Sequence, residues 1–110
     1  MAMFGENTCK AWADADMTGS MSIRDSYNFS SVTDVSTGRI RFSFDVDAVA
    51  SKYAIATLSG NNSGTTTSGR TQNIDSNRAA GNFIIRNLNM NNTNASVDDN
   101  YIGVIVFMDT

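Results

Sequence analysis

The residues of this chain that could carry out chemistry are few, and they are carboxylates. The sequence contains no histidine, which removes the most common general base and the usual ligand sets for zinc and iron. What is left for acid–base or metal chemistry is three pairs of closely spaced aspartates: Asp14 with Asp16, Asp45 with Asp47, and Asp98 with Asp99. This inventory favours a protein without a catalytic site.

The aspartate pairs have a limited capacity to bind a cation. Residues two apart in a strand point to the same side, so Asp14 and Asp16 could share one ion. A calcium loop would need further oxygen ligands and a closing glutamate, and Glu6 is the only glutamate. We therefore expect no metal and no cofactor, with the pairs serving turns and caps. A carboxylate-based polysaccharide hydrolase using Asp14 and Asp98 is the alternative chemistry.

Composition indicates one domain with an uncharged polar exterior. The chain has 110 residues, of which only 17% are charged, whereas asparagine, serine and threonine number 13, 13 and 11. A net charge of -3 argues against nucleic acid as a partner. Six arginines occupy single strand or loop positions and form no run: Arg24, Arg39, Arg41, Arg70, Arg78 and Arg86. One cysteine, Cys9, excludes an intrachain disulfide.

The elements that would position these residues are strands. From Arg39 to Phe44, apolar and polar residues alternate with the period of two that is typical of a half-buried antiparallel strand. Similar segments recur about every ten residues between turn signals, which predicts an all-β fold, an antiparallel, jelly-roll-like β-sandwich of about eight strands. The predicted strands are Thr8 to Ala15, Ser20 to Asn28, Ser31 to Val35, Arg39 to Asp45, Tyr53 to Ser59, Arg70 to Asp75, Asn82 to Leu88 and Tyr101 to Met108.

The same pattern predicts the core and the turns. The predicted core residues are Trp12, Ile23, Ile40, Phe42, Phe44, Ile55, Ile84, Val104 and Val106. Trp12 has an alternative role as a platform on which a sugar could stack. Gly19, Gly38 and Gly81 are expected at turns that need a positive φ. The segment from Asp45 to Ser51 could form one helical turn.

Two kinds of segment lie outside the predicted strands. Residues 1–8 form an apolar N-terminal arm in which Met1, Met3 and Phe4 would bind a partner surface, and residues 9–110 form the single domain. Two asparagine-rich loops, from Gly60 to Arg70 and from Asn87 to Asn100, are candidate recognition loops. Their candidate contact residues are Asn61, Asn62, Arg70, Asn91, Asn92 and Asn94. No segment approaches the length needed for membrane insertion, and the N-terminus does not resemble a secretory signal.

Several motifs in a fixed order resemble a small β domain of virion proteins from tailed bacteriophages, especially those of aquatic and cyanobacterial hosts. They are Lys10-Ala11-Trp12, the segment from Ser22 to Asp34, Thr37 to Phe42, Lys52-Tyr53-Ala54-Ile55, and Tyr101 to Phe107. The resemblance covers nearly the whole chain beyond residue 8. Where members of that family often have a proline-containing link, this chain has Val46 to Ser51.

The resemblance implies a non-enzymatic structural protein on the outer surface of a virion, synthesised in the host cytoplasm and commonly trimeric. If the chain starts at Met1, no stem precedes Lys10, and we would then expect a capsid decoration or cement protein rather than a fibre. The arm would then contact a neighbouring copy, the major capsid protein or another virion protein. The alternative is the receptor-binding tip of a tail or head fibre, whose loops recognise a host surface glycan.

Overall fold

The computed structural model describes residues 9–60, 70–73, 78–88 and 95–109, and in these residues the fold is all-β without a helix. The strands are β1 (Ala11–Asp16), β2 (Ser22–Tyr27), β3 (Phe29–Ser36), β4 (Arg39–Phe44), β5 (Ala54–Gly60), β6 (Arg70–Asn73), β7 (Asn82–Leu88) and β8 (Tyr101–Phe107). The helical turn expected from Asp45 to Ser51 was a wrong prediction, because this segment consists of bends that cross from one sheet to the other.

The strands form two antiparallel sheets of four strands each. Sheet A has the order β2-β1-β8-β5, and sheet B has the order β3-β4-β7-β6. The chain therefore changes sheet between β2 and β3, between β4 and β5, between β5 and β6, and between β7 and β8. These crossings place the first and last strands side by side in the middle of sheet A.

A single apolar cluster takes residues from both sheets. Sheet A contributes the small Ala11, Ala13 and Ala15 together with aliphatic side chains of β8, and sheet B contributes aromatic rings. Phe29, Phe42, Phe44, Tyr53 and Phe83 are joined by ring contacts with centroids 5.2–6.0 Å apart. Burial of these rings provides much of the hydrophobic stabilisation.

Most of the predicted core is confirmed, but Trp12 was wrongly placed there. Its side chain is 38% exposed on the outward face of sheet A. The alternation of the strand explains this, because Ala11, Ala13 and Ala15 take the inward positions of β1 and leave the even positions outside. Ile23 and Ile55 pack against the core while partly buried. Ile84 is buried but is not part of the central cluster, because it lies on the outward side of sheet B, opposite Arg41 of β4.

One asparagine makes the change of sheet between β2 and β3. Asn28 is the only residue between the two strands, and it has a φ of 61°. Its side-chain oxygen accepts from the backbone nitrogen of Val46 at 2.6 Å, and its side-chain nitrogen donates to the oxygen of Val46 at 3.1 Å. Asparagine tolerates the left-handed conformation better than most residues, so a sharp corner forms here without glycine. Gly19 and Gly38 have positive φ as predicted, and Gly81 does not.

Tyr53 connects the approach to β5 with the start of β7. Its hydroxyl lies within hydrogen-bond distance of two carbonyl oxygens, that of Ala79 at 2.7 Å and that of Asn82 at 3.0 Å. The guanidinium of Arg78 lies 4.7 Å from the centre of the Tyr53 ring and donates to the Tyr53 carbonyl at 2.9 Å. Burial raises the pKa of the Tyr53 hydroxyl above its ordinary value of 10.0, while the charge of Arg78 acts in the opposite direction.

Replacing Tyr53 with phenylalanine should remove these hydrogen bonds and lower the free energy of unfolding by about 1–2 kcal/mol at neutral pH. A tyrosine whose pKa is higher in the folded state stabilises the fold below the unfolded pKa, and that contribution is lost as the pH rises through the folded value. We therefore expect alkaline destabilisation, measured by urea unfolding at pH 8 and above pH 10, to be smaller in Tyr53→Phe. Tyr101→Phe, at a tyrosine that is 46% exposed, is the control and should keep the wild-type difference.

Candidate functional site: the outward face of sheet A

An apolar row crosses the whole outward face of sheet A. In β8, Ile102, Val104 and Val106 point into the core, so Ile105 points outward. The strand register places Ile105 opposite Trp12 of β1 on one side and opposite Ala56 of β5 on the other. Trp12 is in turn opposite Tyr27 of β2. Four neighbouring strands therefore present apolar or aromatic side chains side by side, outside the core.

Two further side chains extend this row along the strands. Phe107 lies two residues from Ile105 on β8, and Leu58 lies two residues from Ala56 on β5, each on the same outward side. We define the apolar face as Trp12, Tyr27, Ala56, Leu58, Ile105 and Phe107. Leu58 is the most exposed of the large side chains at 76%. A groove of about 430 Å³ runs between β1, β8 and β5 on this face.

The apolar face ends at a charged cluster centred on Arg24. The Arg24 guanidinium donates to Asp14 and to the carbonyl of Ala15, both at 3.0 Å, and lies 3.4 Å from a carboxylate oxygen of Asp16. It also donates to the carbonyl of Asn100 and stacks 4.5 Å from the centre of the Tyr101 ring. One side chain thus joins β1, β2 and the start of β8, and it borders the apolar face with charge.

Asp14 and Asp16 lie near one another as predicted, but they are engaged with Arg24 and with a turn. Asp16 accepts hydrogen bonds from the Thr18 hydroxyl at 2.6 Å and the Thr18 backbone nitrogen at 2.8 Å. These hydrogen bonds, and to a smaller extent the Arg24 charge, lower the pKa of the Asp16 carboxyl. Within the described ranges, no group of three or more acidic or cysteine side chains could hold a metal ion.

Asp98 and Asp99 help to position the last part of the second candidate loop. Asp98 accepts from the backbone nitrogen of Gly38 at 2.7 Å, and the buried Asp99 accepts from the side chain of Asn87. The Asn87 side chain also donates to the carbonyl of Val97 at 3.0 Å. Asp14 lies on the outward face of sheet A, whereas Asp98 contacts the β3–β4 turn of sheet B. The structure therefore gives the two candidate hydrolase carboxylates separate structural partners.

The other predicted contact residues fall mostly outside the described ranges. Outside these ranges are the three arm residues, Met1, Met3 and Phe4, and five of the loop asparagines: Asn61, Asn62, Asn91, Asn92 and Asn94. Arg70 is described as the first residue of β6, paired with Leu88. The roles assigned to these residues remain predictions.

The apolar face was missed by sequence reasoning, although the sequence carries a signal for it. From Tyr101 to Phe107, β8 is apolar at nearly every position rather than at every second one. A strand in a two-layer fold needs apolar side chains on only one face. Residues such as Ile105 and Phe107 in such a run therefore indicate a second covered surface, or an exposed apolar one.

The chain was compared with protein-family models, with curated proteins and with solved structures, and no significant match was found in any of the three. The described part of the chain contains no helix of the length and apolar character that crossing a membrane would require.

Proposed function

We propose that this protein is a non-enzymatic structural component of a tailed-phage virion, a capsid decoration protein that forms a homotrimer through the apolar face of sheet A. The observation that carries the self-association is the row from Tyr27 through Trp12 and Ile105 to Ala56. The surrounding composition is dominated by amides and hydroxyls, so this row is the part of the described surface that gains most from leaving water.

The size of the apolar face supports a second copy of the chain as its partner. Aromatic side chains carry roughly 150–250 Å² each, so with the exposed fractions of Trp12, Tyr27, Leu58, Ile105 and Phe107 the face offers about 500 Å². That is near the upper end for the largest patch on a monomer, which is about 300–600 Å². When three such faces meet around a three-fold axis, the total exceeds the roughly 1,000 Å² expected of a specific interface.

The fold supports the same proposal. We propose that the two sheets pack as a β-sandwich with jelly-roll-like connections, which is supported by the shared core and by the four crossings between the sheets. Such a domain has edge strands that benefit from cover, and a closed symmetric ring provides it. The placement on the virion exterior is supported by the ordered motifs that resemble phage surface domains, and it requires neither a metal nor a cofactor.

The proposal predicts that the purified chain is trimeric and that one outward substitution dissociates it. Light scattering after size-exclusion chromatography should give the wild-type protein a mass three times the 11.9 kDa of one chain. The Ile105→Arg variant should have the mass of a single chain. A charge at the centre of the face would have to be desolvated in the trimer, whereas it stays in water in the monomer. Because Ile105 is 46% exposed, the substitution should leave the monomer folded.

The matched control is Val35→Arg, which alters a residue of similar exposure, 40%, on sheet B. It should remain trimeric. Trp12 is the only tryptophan and lies on the face, so its emission should shift to shorter wavelength on association. A wild-type chain that is monomeric at high concentration, or an Ile105→Arg variant as large as wild type, would refute the association. Images of particles showing the protein only at the tail would refute the capsid location.

A further inference from the structure

A cavity of about 660 Å³ opens to solvent where the start of β5 lies beside the end of β8. Its lining includes two buried side chains, Tyr53 and Met108, and three exposed ones, Lys52, Ala54 and Phe107. Phe107 is shared with the apolar face, but the chemistry of the two surfaces differs, because this cavity also contains charged groups. It is therefore a separate candidate for binding a ligand.

Arg78 is a cation that the fold holds in place in this cavity. Its Nη1 donates to the carbonyl of Tyr53 at 2.9 Å, and the centre of the guanidinium lies 4.7 Å from the centre of the Tyr53 ring. Because both contacts are made to one buried residue, the guanidinium has a fixed orientation before any ligand arrives. A group that is ordered in advance loses less entropy on binding.

The other nitrogens of Arg78 have no protein partner. Among the described residues, the hydrogen bond to Tyr53 is the only one that the guanidinium makes, and it forms no ion pair. Its Nε is buried and unpaired, whereas Nη2 is unpaired without being buried. Nε and Nη2 form the edge of a guanidinium that faces the two oxygens of a carboxylate or phosphate. An anion at Nη2 would offset the cost of the unpaired charge on this edge.

Lys52 brings a second positive charge to the same cavity. Its side chain is exposed and makes no ion pair in the part of the chain that the structure describes. One carboxylate, that of Asp109, also lines the cavity, and it is paired with neither Lys52 nor Arg78. The lining therefore has two cations and one carboxylate, a balance of charge that favours an anionic ligand.

Apolar side chains form another part of the lining. Ala54 and Phe107 are directly paired in the register of β5 and β8, and Phe107 is 41% exposed. A ligand that carries an aromatic or aliphatic group beside its charge would gain from burying that group here. The volume of the cavity lies within the range of about 300–1,000 Å³ that is typical of sites for small ligands.

We propose that this cavity binds an oxyanion, either a carboxylate or a phosphate, that is carried on an aromatic or aliphatic group. Arg78 holds the oxyanion through Nη2, Lys52 supplies the second charge, and Phe107 contacts the apolar part. This binding requires only the folded chain, and so it goes beyond the proposed structural role and does not depend on it.

The test is an NMR titration of the full chain with benzoate, phenyl phosphate, inorganic phosphate and neutral benzyl alcohol. At least one of the two aromatic oxyanions should bind about tenfold more tightly than benzyl alcohol and inorganic phosphate, because only they use both the charged and the apolar lining. Binding should shift the Nε–H resonance of Arg78 and the amides of Lys52 and Phe107. Whichever aromatic oxyanion binds more tightly identifies the preferred group.

Three substitutions locate the binding. Lys52→Gln should weaken it about threefold, as expected for the loss of an exposed charge, and Arg78→Lys should weaken it about tenfold, since it keeps the charge but loses the fork. Lys10→Gln removes the same charge from a residue that lines a different cavity, so this control should bind as wild type. Because Lys52 is exposed and makes no ion pair there, Lys52→Gln tests the site even if Arg78→Lys is less stable.

Three results would overturn the proposal: an equal loss of affinity in Lys52→Gln and Lys10→Gln, equally tight binding of benzyl alcohol, or no shift of the Arg78 resonance. The monomeric Ile105→Arg variant should also bind the aromatic oxyanion, because Ile105 does not line this cavity. That result would separate the site from the proposed trimer contact.

Discussion

Replacing Gly38 with alanine should destabilise the protein by about 3–5 kcal/mol. Gly38 has a φ of 71° in the two-residue turn between β3 and β4. A Cβ atom there would lie 2.7 Å from the backbone nitrogen of Val97, 2.8 Å from the Cβ of Ser96 and 2.9 Å from the carbonyl oxygen of Asn87. Two of these are backbone atoms, so the contact cannot be relieved by rotating a side chain.

Hydrogen bonds also join this turn to the end of β7 and to the last part of the second candidate loop. The nitrogen of Gly38 donates to Asp98, and its carbonyl accepts from the nitrogen of Asn87 at 2.7 Å. Gly19→Ala is the matched control, because Gly19 has a φ of 59° and its added Cβ would meet nothing within 4 Å. It should cost only about 1 kcal/mol, the strain of the left-handed backbone. Equal losses in the two variants, measured by urea unfolding, would show that the close approach at Gly38 contributes nothing.

Truncating Phe83 to alanine should cost about 3–5 kcal/mol. The ring is fully buried and lies within 6.0 Å of the centroids of four other rings, those of Phe29, Phe42, Phe44 and Tyr53. The inward residues that β1 brings from sheet A are alanines, which are too short to fill the space that the ring would leave. For a domain with about 5–15 kcal/mol of total stability, a substantial unfolded fraction should result.

Phe107→Ala makes the same truncation at a ring that is 41% exposed on the apolar face. Measured on the monomeric Ile105→Arg background, it should cost no more than about 1 kcal/mol, because much of its surface already contacts water. Urea unfolding followed by circular dichroism would compare the two variants. A loss of stability in Phe83→Ala no larger than that in Phe107→Ala would contradict the assignment of the aromatic cluster as the core.

Short-range patterns explain which parts of the fold could be predicted. From Arg39 to Phe44 every second side chain is apolar, so both the strand and its buried face follow from the sequence. The glycines at 19 and 38 likewise mark turns that need a positive φ. Trp12 was wrongly assigned to the core because a large aromatic side chain is expected to be buried, although its even position in β1 points outward. In β1 the small alanines are inside, and the largest side chain of the protein is outside.

The sequence alone determined the strand periods, the absence of histidine and the uncharged polar composition, because these are properties of residues and their near neighbours. The tertiary structure decided which outward side chains share a surface. Ile105 and Trp12 are 93 positions apart in the sequence and adjacent in sheet A, and Arg39 and Arg86 become opposite one another only through the pairing of β4 with β7. Register between distant strands is set by packing of the whole core. The apolar run of β8 therefore signals that its outward residues are apolar, but no local pattern shows which side chains of other strands lie beside them.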